Sequence, residues 1–60
     1  MAEARRRAGL TQQQLAAKVG AGRVTIARIE TGVQTPSLDV ALALSRELGE
    51  PVEALFGGGE

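Results

Sequence analysis

Glycines at positions 9, 20, 32 and 49 cut this 60-residue chain into short stretches. Each follows a segment whose composition or apolar spacing suits a helix, and glycine just past the last helical residue is a common stop. A succession of short helices is therefore expected. Five of them occupy residues 1–56, which leaves no room for a sheet or a second domain, and no internal repeat is seen. Gly57 to Gly59 cannot hold helix, so 57–60 is expected to be a flexible tail.

The first stretch, Ala2 to Ala8, is permissive for helix and has only Ala4 and Ala8 to turn inward. The second opens on Thr11-Gln12-Gln13-Gln14, which has the form of a capping box: Thr11 can accept from a first-turn amide while Gln14 reaches back to the backbone of Thr11. Leu10, just ahead of the cap, can staple to Leu15, and Leu15, Ala16 and Val19 share one side. After Gly20-Ala21-Gly22 the period resumes from Arg23 to Glu30, with Ile26 and Ile29 inward. Two helices joined by so short a glycine-containing connection are the physical signature of a helix-turn-helix. Residues 31–36 form a loop in which Gly32 can take the left-handed conformation that closes the preceding helix and Pro36 biases Thr35 toward extended geometry. Ser37 caps a fourth helix, Leu38 to Leu48, expected to bury Leu38, Ala41, Leu42, Ser45 and Leu48 as one stripe widened by Leu44. Pro51 suits the first turn of a fifth short helix, with Val52, Leu55 and Phe56 as its apolar side.

Composition narrows the function. The chain has no cysteine and no histidine, so disulfides, thiol chemistry, zinc sites of the finger type and Cys or His catalytic pairs are excluded. Its apolar residues are mostly Ala, Leu and Val, with Phe56 the lone aromatic. An aliphatic core of this size has little room for an enzyme pocket. No catalytic residue, cofactor or metal is expected. With no apolar run of membrane-spanning length and no signal-peptide core, a cytoplasmic chain without membrane contact is the expectation.

Net charge is zero, yet it is unevenly spread. Residues 1–28 carry Arg5, Arg6, Arg7, Lys18, Arg23 and Arg28 against Glu3, a balance of +5; residues 29–60 carry only Arg46 against six acidic groups, a balance of −5. One face could thus meet a polyanion while the molecule as a whole stays neutral.

The stretch Leu10-Thr-Gln-Gln-Gln-Leu-Ala-Ala-Lys-Val-Gly20, continuing through Ile26, Ile29-Glu30 and Gly32 to Pro36-Ser37-Leu38, resembles the Cro/C1-type helix-turn-helix family of phage repressors and bacterial regulators. The resemblance covers roughly residues 5–56 and implies an all-α, compact, five-helix, lambda-repressor-like domain that docks its third helix in the major groove of double-stranded DNA, commonly as a homodimer. Three departures stand out. Gly22 replaces the usual Ser or Thr at the cap of the recognition helix, helix 1 offers only Met1, Ala2 and Ala4 as apolar residues, and Val24 and Ala27 replace polar residues on the recognition surface.

The resemblance and the chemistry together select the candidate residues. Arg23, in the first turn of the recognition helix, could fork onto guanine O6 and N7. Val24 could meet a thymine methyl, and Thr25, Ala27 and Arg28 complete the candidate base-reading set. Gln12 matches the family's phosphate-contacting glutamine at a helix N-terminus, where free amides suit an anion. Arg6, Arg7, Val33, Gln34 and Thr35 are the remaining backbone-contacting candidates. The resemblance also pairs Arg5 with Glu30 in an architectural ion pair. The expected function is a sequence-specific transcriptional regulator, a repressor on a palindromic operator. The alternatives are an antitoxin or accessory component of a toxin-antitoxin pair that holds a protein partner, and a helical protein-interaction module.

Overall fold

The structure, a computed structural model, describes residues 1–56 as five helices: α1 (Ala2–Arg7), α2 (Gln12–Val19), α3 (Arg23–Glu30), α4 (Leu38–Leu48) and α5 (Val52–Phe56). The expected tail at 57–60 lies outside the described residues. The capping box forms: Gln14 N donates to Thr11 Oγ1 at 3.0 Å and Thr11 N donates to Gln14 Oε1 at 2.9 Å. Ser37 does similar work for α4, its Oγ accepting from Val40 N at 3.3 Å. At the start of α3, Gly22 has no side chain to cap with. Gly20 and Gly49 end α2 and α4 with φ of 74° and 69°, the left-handed conformation in which any side chain would be strained.

Leu15 from α2, Ile26 from α3 and Leu44 from α4 are fully buried and, with Ala16, form the centre of the core. α2 packs against both α3 and α4, and α5 packs on α4. Met1, Leu10, Val19, Ala21, Val40, Leu48, Leu55 and Phe56 pack around that centre, so the last helix covers the core of its own monomer. Truncating any of the three central side chains to Ala should cost about 2–5 kcal/mol, since rigid helix contacts cannot close the cavity completely.

Two packing expectations are corrected. On α4 the buried residues are Ala41 and Leu44, while Leu38 and Leu42 are 73% and 48% exposed. Leu44 occupies the centre of the inward face because it meets Leu15 and Ile26, which turns Leu38 and Leu42 to the opposite side of the helix. Ala8 is exposed as the C-terminal cap of α1, leaving Ala4 as the buried residue of that helix.

Candidate nucleic-acid interface

α3 buries Ile26 and Ile29, and its opposite side carries Arg23, Ala27, Val24 and Arg28 over an arc of about 140° at 3.6 residues per turn. Arg23, Val24 and Arg28 are exposed, Val24 at 52%, and Ala27 is half-buried between them. Thr25 falls on the flank of this arc, half-buried. The guanidinium groups of Arg23 and Arg28 engage no carboxylate among the described residues. The exposed surface of the second helix of the motif is thus a cationic and methyl-bearing ridge whose charges are not spent on any described carboxylate.

The end of α3 is tied to the last turn of α1 and to the start of α2. Arg5 Nε donates to Glu30 Oε2 at 2.6 Å, and Arg5 Nη1 donates to the Leu10 carbonyl at 2.8 Å. The other carboxylate oxygen, Glu30 Oε1, accepts from Gln12 Nε2 at 2.9 Å. The Arg5 and Glu30 side chains are only 12% and 6% exposed. Burial would raise the Glu30 carboxyl, but the hydrogen bonds from Arg5 and Gln12, with the Arg5 and N-terminal charges behind them, outweigh it and hold the group below its ordinary value.

Other candidates take different positions. Arg6 is exposed, whereas Arg7 makes an exposed contact of 3.3 Å with Glu50 in the turn between α4 and α5. Val33 N and Gln34 N both donate to the Arg28 carbonyl, at 2.9 and 3.2 Å. The loop after α3 therefore uses those two amides to close the helix, and it presents to solvent the side chains of Val33, Gln34 and Thr35. Sequence reasoning gave Gln12 only an outward role. Its partner lies 18 residues away, and no local spacing signals such a bond.

A family profile described as helix-turn-helix matches residues 1–55. The chain belongs to the helix-turn-helix family. Among its relatives, an uncharacterized HTH-type transcriptional regulator of Methanothermobacter thermautotrophicus is 46% identical over 55 residues, which cover 90% of this chain and 80% of that protein. One from Archaeoglobus fulgidus is 43% identical over 54 residues, covering 90% and 77%. One from Methanocaldococcus jannaschii is 43% identical over 47 residues, covering 78% and 71%. No solved structure gives a significant match. Within this helix-turn-helix chain, no described helix is long and apolar enough to cross a membrane.

Proposed function

We propose that this helix-turn-helix protein is a sequence-specific, double-stranded DNA-binding transcriptional regulator of the Cro/C1 type, acting as a repressor by placing α3 in the major groove of a palindromic operator as a homodimer. One observation carries the proposal: α3 is held in the core by Ile26 and Ile29 while Arg23, Val24 and Arg28 stand exposed on its other side, with both guanidiniums unclaimed by any described carboxylate. A helix that presents forked donors and a methyl-bearing side chain on one rigid ridge suits base edges. Arg23, Val24, Ala27 and Arg28 read bases, with Thr25 at the edge of the footprint. Gln12, Arg6 and the side chains of Gln34 and Thr35 hold phosphates, with Val33 beside them and Arg7 joining once it leaves its exposed and therefore weak contact with Glu50. The names of the relatives, all HTH-type transcriptional regulators, support the same assignment.

Selection of bound sequences from random duplex DNA tests this function. The expected result is a pair of inverted half-sites spaced about one helical turn apart, with affinity that falls steeply with salt at about 0.9 in log–log slope per neutralised phosphate. Recovery of no preferred sequence, with binding insensitive to salt, would refute it.

One observation favours a second reading. Leu38 and Leu42, one turn apart on α4, are exposed apolar residues outside the monomer's core, and a protein partner, as in a toxin-antitoxin pair, would have these side chains to bind. Loss of half-site symmetry together with a stable complex with the product of an adjacent gene would move that reading ahead.

A further inference from the structure

We propose that Glu30 is a positioning residue for the DNA-backbone contact, acting through Gln12; the proposal rests on the assignment of Gln12 to phosphate given above. Three observations meet at this carboxylate. Its two oxygens are divided, Oε2 to Arg5 and Oε1 to Gln12, so one group at the end of α3 fixes side chains from α1 and α2 together. Its side chain is nearly buried, which limits competing water at both bonds. And Arg5, besides meeting Glu30, holds the carbonyl of Leu10, the residue just before the α2 cap.

Consider Gln12 without this partner. It would be a first-turn glutamine with a flexible side chain, and ordering that chain on a phosphate would lose rotamer entropy at the moment of binding. Bonded to Glu30, the amide is already oriented. A glutamine amide carries two N–H donors, so one serves Glu30 and the other remains to meet phosphate. A bare carboxylate 2.9 Å from that nitrogen would repel the approaching anion. Arg5 at 2.6 Å neutralises it, which makes Arg5 part of the same device: the trio offers an ordered donor with no net negative charge.

The experiment is a double-mutant cycle on the full chain with Gln12→Ala, Glu30→Gln and the combination, read as affinity for duplex DNA at fixed salt. With its oxygen kept by the charged Arg5, a glutamine at position 30 presents an NH2 donor where the carboxylate presented Oε1 to Gln12. The Gln12 amide must then turn its own oxygen there, and its N–H donors leave the positions they held. The change of charge is common to both backgrounds and cancels in the cycle. Glu30→Gln should weaken binding about threefold or more in the wild-type background relative to its effect in the Gln12→Ala background, within the usual range for residues in contact. Additive effects would overturn the positioning role while leaving Gln12 as a phosphate contact. If Gln12→Ala leaves affinity unchanged, the phosphate contact itself is wrong and the positioning role falls with it.

A second measurement needs no variant and so survives a failure of Glu30→Gln to fold. In the free wild-type protein, side-chain 15N relaxation should show the Gln12 amide well ordered and those of the exposed Gln13 and Gln34 mobile. Equal mobility of all three would overturn the proposal.

Discussion

The starts of α2 and α3 make an instructive pair. Both helices have eight residues and both follow a turn, yet their first turns are built in opposite ways. α2 begins with a complete capping box, a carbonyl just upstream held by Arg5, and a first residue, Gln12, bonded to Glu30. α3 begins at Gly22 with no side-chain cap, and its first two residues, Arg23 and Val24, are exposed. If the first site holds phosphate and the second reads bases, the difference has a physical sense. A contact that sets register profits from being rigid beforehand, whereas a contact that samples base edges needs unengaged donors and room to adjust.

The strongest way to break this comparison is to remove what makes the first site rigid. Glu30→Ala leaves the Arg5 guanidinium buried without its carboxylate and Gln12 without an acceptor, a change that should cost about 3 kcal/mol. In a domain this small that is a large part of the whole stability, so circular dichroism should find the variant substantially melted at room temperature. The same residue sets a pH dependence. Because the folded state holds Glu30 below its ordinary value, the unfolded chain takes up the proton more readily, so the stabilisation is present above the unfolded carboxylate range and is lost as pH falls through the folded value. In Glu30→Gln this acid sensitivity should shrink, and an unchanged acid-unfolding profile would remove Glu30 from the account.

Next in size is the contrast between reading and holding. Arg23→Ala should lose about 1–3 kcal/mol per half-site and relax the preference at one base pair, whereas Gln12→Ala should weaken specific and non-specific binding alike. Titration of both variants against the selected operator, its single-base changes and unrelated duplex checks this. A preference profile left intact by Arg23→Ala would transfer Arg23 to the phosphate contacts and dissolve the distinction between the two helix starts.

These two sites also differ in how well the sequence foretells them. Local chemistry is written locally: Thr11 and Gln14 three positions apart, Ser37 ahead of α4, and glycines past the helix ends all specify hydrogen bonds within a turn, and these form. The rotation of α4 is not so written. Leu38, Leu42, Leu44 and Leu48 are equally apolar, so periodicity supports two overlapping stripes, and only the position of Leu15 and Ile26 in space selects the one centred on Leu44. Contacts distant in sequence leave even less trace. Gln12 with Glu30 and Arg7 with Glu50 join exposed-looking polar residues 18 and 43 positions apart. The partnership of Arg5 with Glu30 entered only through the family resemblance, not through any spacing.

A smaller effect is expected at the α2 cap. Thr11→Ala removes the acceptor for the Gln14 amide and should cost about 1 kcal/mol, seen as a lower melting temperature. Thr11→Gly should cost only a few tenths of that unit relative to threonine, because glycine leaves the amide open to water.

The smallest effect sharpens the comparison most, because it makes the two helix starts alike. Gly22 lies in extended geometry, φ −87° and ψ 156°, which any residue adopts. A Cβ added there would meet only Thr25 Oγ1, at 4.0 Å, an ordinary contact. Gly22→Ser therefore fits without strain, and its hydroxyl can accept from an amide of the first turn as Thr11 does in α2. The gain should be a few tenths of a kcal/mol, or a rise of about 2 °C in Tm for a domain of this length. If the open start of α3 exists for adjustment on DNA, the stabilised variant should bind its operator no more tightly than the parent despite its higher Tm. If instead affinity rises while the order of base preferences is kept, the missing cap is simply a loss of stability at α3, and the case for a deliberately unfastened reading end fails.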